Sequence, residues 1–182
     1  MSFVSTGLEG LLVFEPRVFE DARGHFFEAY NQEVFSQAGI HERFIQDNQS
    51  YSTYGVIRGL HYQLYPHAQC KLVRVLEGTI LDVVVDLRNK AATYGSVFTV
   101  ELSASNKKQL LIPHGFAHGF SVLSKTATVL YKCDSLYNKE REGGVIYNDP
   151  DLAIDWQIPE KEAIVSDKDL LLPSFKNAVT NF

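Results

Sequence analysis

The sequence predicts an all-β fold, a sandwich or a barrel. From Val56 onward, short runs rich in Val, Ile, Leu, Phe, Tyr and Thr follow one another at close intervals, separated by turn residues, which is the pattern of successive short strands. Only one segment carries both a start and a stop signal for a helix. The 182 residues, 45% of them hydrophobic, suffice for one well-buried core, and no linker, repeat or low-complexity stretch divides them, so a single domain over residues 1–182 is expected.

Taken in order, residues 11–19 and 25–30 read as short strands joined by Glu20-Asp21-Ala22-Arg23-Gly24, good turn chemistry, so a hairpin opens the fold. Asn31 can cap a helix running to about Ala38, with Glu33 in its first turn and Gly39 where a left-handed stop belongs. Residues 44–46 lead into Asp47-Asn48-Gln49-Ser50, read as a turn. Strands are then expected at 56–63, 70–76, 79–88, 96–102, 109–112, 119–123, 128–133 and 144–148.

The break at Glu77-Gly78 reads as a two-residue hairpin loop. Odd positions of its first strand would then pair with even positions of the second, so that Lys71, Val73 and Val75 share a face with Ile80, Asp82, Val84 and Asp86. The opposite face holds Leu72, Leu76, Leu81, Val83, Val85 and Leu87, with Arg74 the exception. Charges on a covered face need partners, and their presence is costly without a use.

Composition removes several classes of function. A formal net charge of -5 and a pI near 5.7 argue against a nucleic-acid binder, which needs a basic stripe, while leaving room for a local pocket for one small anion. The first residues have no basic segment followed by an apolar one, and no apolar run reaches membrane-spanning length, so a cytoplasmic protein is expected. Cys70 and Cys133 lie inside apolar runs and read as reduced, buried thiols. No G-x-S-x-G elbow, phosphate-binding glycine loop or dinucleotide fingerprint is present.

Two stretches concentrate chemistry. One runs from Gly55 to Lys71 and places Arg58, His61 and Lys71 among apolar positions. The other, Ile112 to Phe120, alternates Gly and aromatic residues with His114 and His118. A lone strand histidine is ordinarily a hydrogen-bonded structural residue, and Tyr131 alone looks like a strand aromatic. Ser166-Asp167-Lys168-Asp169 alone reads as a helix cap with an acidic first turn. A metal site is not expected, because the residue two after His61 is Gln63 rather than a second histidine, and His114 and His118 are four apart. What remains is proton chemistry beside a carbonyl, with a His base held by a carboxylate, a phenol, and a Lys facing negative oxygen.

The motifs F-x-D-x-R-G-x-F-x-E (Phe19 to Glu28), Q-D-N-x-S (Gln46 to Ser50), R-G-L-H (Arg58 to His61), D-V-V-V-D-L-R (Asp82 to Arg88), I-P-x-G-F-A-H-G-F (Ile112 to Phe120), Y-K (Tyr131-Lys132) and S-x-K-D (Ser166 to Asp169) occur in order along nearly the whole chain. Together they resemble the dTDP-4-dehydrorhamnose 3,5-epimerase family. The resemblance implies a double-stranded β-helix, a cupin-type jelly roll with one or two short helices, without metal or cofactor. It further implies a homodimer that converts dTDP-4-dehydro-6-deoxy-D-glucose to dTDP-4-dehydro-L-rhamnose, with no nucleic-acid or membrane partner. It makes His61 the base, Asp169 its orienting carboxylate, Tyr131 the acid on the opposite sugar face and Lys71 the stabiliser of the enolate oxygen. Arg58 and His118 match positions near the sugar and diphosphate, Gln46, Asn48 and Lys168 match nucleotide or phosphate contacts, and Tyr137 matches a ring beside the sugar or base. Asp82 matches a buried network, and Phe19, Arg23 and Glu28 match a stretch that reaches the partner's site. Two alternatives stay open: a relative inverting only C3 or only C5, and a non-catalytic nucleotide-sugar-binding β module.

Overall fold

The computed structural model describes residues 1–182 as two six-stranded sheets, a small hairpin and two short helices. The first sheet is built from β1 (Ser2–Ser5), β2 (Leu12–Glu15), β5 (Gln46–Thr53), β7 (Lys71–Glu77), β10 (Gln109–Ile112) and β12 (Thr126–Cys133). Its spatial order is β1-β2-β10-β7-β12-β5. The second contains β6 (Val56–Gln63), β8 (Thr79–Asp86), β9 (Val97–Ser103), β11 (Phe116–Val122) and β13 (Glu142–Gly144), in the order β13-β6-β11-β8-β9, with β14 (Ile164–Val165) parallel to β6. No helix is long and apolar enough to cross a membrane.

Alternation along the strands sorts residues into three apolar layers. Val73, Val75, Leu110 and Val129 of the first sheet meet Ile80, Val84, Phe120 and Val122 of the second in the central core. The outer face of the second sheet, through Ile57, Leu60, Leu81, Val83 and Val85, is covered by the C-terminal stretch carrying Val145, Leu152 and Trp156. Trp156 is fixed through side chain and backbone: its indole donates to the Tyr147 carbonyl (2.7 Å) and its own carbonyl accepts from Ser121 Oγ (2.7 Å). Helix α1 (Gln32–Gln37) covers the outer face of the first sheet by packing Phe35 against Phe14, Leu72 and Leu111. The sequence places α1 well: Asn31 Oδ1 accepts from the amides of Glu33 and Val34, and Gly39 has φ +82°.

The structure corrects four sequence expectations. Strand β2 pairs with β1, which no sequence signal marked, and with β10; the actual hairpin is the smaller β3 (Phe19–Asp21) and β4 (Gly24–Phe26), exposed throughout. Residues 47–50 are not a turn but the middle of β5, which pairs with β12 along its whole length. The last expected strand, 144–148, is three residues long and earlier, at β13. Finally, β7 and β8 do not form a hairpin: β7 pairs with β10 and β12, β8 with β11 and β9, so the chain crosses between sheets at Gly78. The face assignment survives, because Val73 and Val75 still meet Ile80 and Val84, now across the core rather than along one sheet.

Candidate active site

At one end of the core the inward positions turn polar. Lys71 continues the row of Val73 and Val75, Tyr131 continues Ala127 and Val129, and His118 stands two before Phe120. They line a cavity of about 490 Å³ together with Arg58, His61, Ser50, Lys168 and Asp169. A neighbouring cavity of about 410 Å³ is bordered by Gln46, Asn48, Gln63, Tyr137 and Glu142. Only His61, Lys71 and Tyr131 line both.

Strict alternation would put Arg58 and His61 on opposite faces of β6. A bulge prevents that: the register with β11 runs His118 to His61 but Phe120 to Arg58, so β6 holds one extra residue. Gly59 makes the bulge possible. Its φ is +99°, and a Cβ there would lie 2.5 Å from the His118 carbonyl oxygen and 2.7 Å from Gly119 Cα. Gly119 is required from the other side, since its own Cβ would meet the Arg58 carbonyl at 2.6 Å. The R-G-L-H and H-G-F motifs are two halves of one close approach.

The bulge also turns the Gly59 amide toward Asp169. Helix α2 (Asp167–Leu170), capped by Ser166 Oγ on the Asp169 amide, carries this carboxylate under the cavity. Asp169 Oδ2 accepts from Gly59 N (3.1 Å) and Oδ1 from His61 Nε2 (2.7 Å). Burial opposes its ionisation, but the His61 bond and charge, the Gly59 amide and the Ser166 hydroxyl outweigh it and hold the carboxyl below its ordinary value. With Nε2–H donated to Asp169, the lone pair of the neutral imidazole is on Nδ1.

Around this pair the other groups take defined states. Burial, with neighbouring negative groups, pushes the Tyr131 phenol up, so it remains a proton donor near neutral pH. Burial lowers Lys71, and the nearby Cys133, Asp82 and Glu142 offset part of that shift. Arg58 Nε donates to Ser52 Oγ (3.0 Å). His118 Nε2 meets Asp82 Oδ2 at 3.0 Å, and Asp82 is fully buried with Oδ1 unpartnered. Ser50 Oγ, on the cavity wall, is likewise without a partner.

Gln46, Asn48 and Tyr137 are joined: Gln46 Nε2 donates to Asn48 Oδ1 (3.0 Å) and its Oε1 accepts the Tyr137 amide (3.1 Å). Gln63 accepts the Asn138 amide (2.6 Å) and donates to the His67 carbonyl (2.7 Å), so it fixes the loop that presents Tyr137. No three His, Cys, Asp or Glu side chains converge as metal ligands would. Phe19 and Arg23 lie elsewhere, on the exposed hairpin, where Arg23 pairs with Asp21. Glu28 accepts from Asn31 Nδ2 (3.1 Å), also outside the cavities. The residue that sequence reasoning missed is Glu142. Its Oε2 receives Tyr137 OH (2.9 Å) and Lys168 Nζ (2.7 Å), but in the charged run Lys139 to Glu142 it looks like ordinary solvated surface.

Known proteins resemble this chain over nearly its whole length. The family model for dTDP-4-dehydrorhamnose 3,5-epimerase matches residues 5–177. The dTDP-4-dehydrorhamnose 3,5-epimerase of Shigella flexneri is 48% identical over 179 residues, 98% of either chain. The crystal structure of the same-named protein from Elizabethkingia anophelis is 53% identical and superposes with a TM-score of 0.93 over 97% of both chains. That of the dTDP-6-deoxy-D-glucose-3,5-epimerase from Legionella pneumophila, in complex with dTDP-4-keto-L-rhamnose, is 43% identical with a TM-score of 0.92, covering 97% of this chain and 93% of its own.

Proposed function

The chain belongs to the dTDP-4-dehydrorhamnose 3,5-epimerase family, and from that premise we propose that it inverts C3 and C5 of dTDP-4-dehydro-6-deoxy-D-glucose to give dTDP-4-dehydro-L-rhamnose, acting as one cytoplasmic domain. The observation that carries this reading is that His61, Lys71 and Tyr131, and no other residues, border both cavities. A nucleotide sugar occupying both would place its reacting ring beside a base, a cation and a proton donor.

Hydrogens on C3 and C5 of a 4-ketosugar both neighbour the carbonyl, so one enolate-stabilising site serves both carbons in turn. His61 removes the proton through Nδ1, and Asp169 holds the tautomer and stabilises the imidazolium that forms. Lys71 faces the enolate oxygen. Tyr131 returns a proton from the opposite face, which inverts the centre. Arg58, His118, Gln46, Asn48, Lys168 and Tyr137 supply contacts to the sugar, diphosphate and base, binding energy remote from the reacting carbons. No cofactor enters the scheme. NMR of the product formed from dTDP-4-dehydro-6-deoxy-D-glucose tests it: inversion at both carbons is expected, and a product inverted at one carbon alone would reassign the chain to a single-centre epimerase.

The working unit is a homodimer in this reading. The β3–β4 hairpin supports it, with Phe19 and Phe26 half or more exposed and Arg23 almost fully so, their contacts confined to neighbours in sequence, Arg17 over the Phe19 ring and Asp21 on Arg23. Phe19, Arg23 and Glu28 would complete the partner's site. Mixing Arg23→Ala with His61→Asn subunits under exchange should restore part of the activity that each lacks; failure to do so would return the hairpin to a purely local role.

A further inference from the structure

A carboxylate at the mouth of a site for a dianionic substrate needs a reason, and Glu142 is such a group. It lines the second cavity and Lys168 lines the first, so their 2.7 Å contact forms the seam between the two. Any ligand that fills both cavities meets this seam. Glu142 is fixed: it lies on β13 opposite Gln63 of β6, its side chain is 19% exposed, and Tyr137 OH holds it independently of Lys168. Lys168 is held less, with 61% of its side chain exposed and Glu142 the one hydrogen-bond partner of its ammonium.

We propose that the Glu142–Lys168 ion pair is a clasp between the two cavities that a nucleoside diphosphate opens, taking Lys168 from Glu142 while Tyr137 keeps Glu142 in place. Glu142 is therefore a specificity residue. It presents a negative charge that an entering ligand must outbid for Lys168, so a neutral sugar, or one with a single weak charge, leaves the clasp shut. Two supporting facts concern charge. Burial disfavours the Glu142 anion, yet Lys168, Tyr137 and the His61 charge together hold its carboxyl below the ordinary value, so it is ionised at neutral pH. With one partner well exposed to solvent, a pair of this kind is weak enough for a diphosphate's multiple charge-assisted contacts to displace it.

The inference rests on the nucleotide-sugar reading above, and calorimetric titration with dTDP separates the two. Binding to the unaltered protein tests the reading; if dTDP does not bind, the reading fails and the clasp with it. Given binding, Glu142→Gln keeps an acceptor for Tyr137 but releases Lys168, and dTDP should bind about twofold to tenfold tighter. Lys168→Met should weaken binding. In the Lys168→Met background, Glu142→Gln should lose most of its benefit, since there is no longer a cation to release. Binding that Glu142→Gln weakens or leaves unchanged, or tightens equally with and without Lys168, would overturn the clasp.

Discussion

Two histidine–carboxylate pairs lie side by side in the second sheet, for His61 and His118 are direct register partners across β6 and β11. They share chemistry and differ in everything else. His61 keeps 32% of its side chain exposed and His118 only 6%. Asp169 has both oxygens engaged, one by His61 and one by the Gly59 amide, whereas Asp82 leaves Oδ1 empty in a fully buried position. Asp169 arrives on a capped helix from the C-terminal stretch, while Asp82 sits mid-strand in β8. Access, rather than residue type, distinguishes them: in the proposed reading the base must exchange its proton with substrate and solvent, which the more exposed His61 permits and the nearly buried His118, though it lines the cavity, does not favour. The buried pair is suited to holding the cavity wall.

The largest effect should break the symmetry between the histidines. In heavy water, His61→Asn should lose deuterium uptake at C3 and C5 by at least about 10²–10⁴, the scale of a positioned general base. His118→Asn should lose less, by at least about one factor of ten. Equal losses would mean that the two pairs act as one unit.

Tyr131→Phe sharpens the contrast within the cavity. An enolate forms without the acid but not without the base, so this variant should retain exchange at His61 while inverted product falls. Deuterium would then enter with retained configuration. Should Tyr131→Phe abolish exchange while His61→Asn preserves it, the two roles are reversed.

The carboxylates should separate rate from stability. Asp82→Ala strips the buried His118 of its only partner and should destabilise the fold by about 1–3 kcal/mol in denaturant titration. Asp169→Asn removes the group that sets the His61 tautomer and should act on turnover more than on the unfolding midpoint. The reverse pattern would make Asp82 the working partner.

A third pair gives the smallest effect and a sign. His114 Nε2 meets Asp134 Oδ2 at 2.8 Å, and that hydrogen bond, against burial and with the help of charge, raises the imidazole above its ordinary value. A group whose pKa rises on folding stabilises fully below its unfolded value, about 6.5, and loses that contribution as pH climbs through the folded one. His114→Gln should therefore lower the melting temperature more at about pH 6 than at about pH 9. A gap that widens with pH would contradict the assignment.

How much of this was legible depended on whether a position's burial was apolar. The strands after Val56 and helix α1 announced themselves through apolar alternation and an Asn cap. Strand β5 did not, because its inward residues Gln46, Asn48 and Ser50 face the cavities and Ser52 receives Arg58, so polar side chains on the inner face erased the contrast between its faces. Its function hid its structure. Alternation predicted the common direction of Lys71 and Asp82 through a hairpin that does not exist, since parity belongs to each strand and survives a change of partner. The bulge at Gly59 and the role of Glu142 could not be read, for both depend on what distant segments place opposite them.

The bond between His61 and Asp169 joins residues 108 positions apart, and the sheet orders set β2 beside β10 and β5 beside β12. Such closures must overcome the entropy of long loops before any contact rewards them, so chains wired this way fold slowly. Asp169 meets the Gly59 amide at the bulge, and the C-terminal stretch that carries it is pinned to the second sheet through Trp156. On the proposed roles, catalytic competence is expected to be the last property the molecule acquires, a stalled or partly collapsed chain carrying His61 without its partner. On dilution from denaturant, the circular-dichroism signal of the sheets should return before exchange activity does; simultaneous recovery would mean that the pair assembles with the sheets rather than after them.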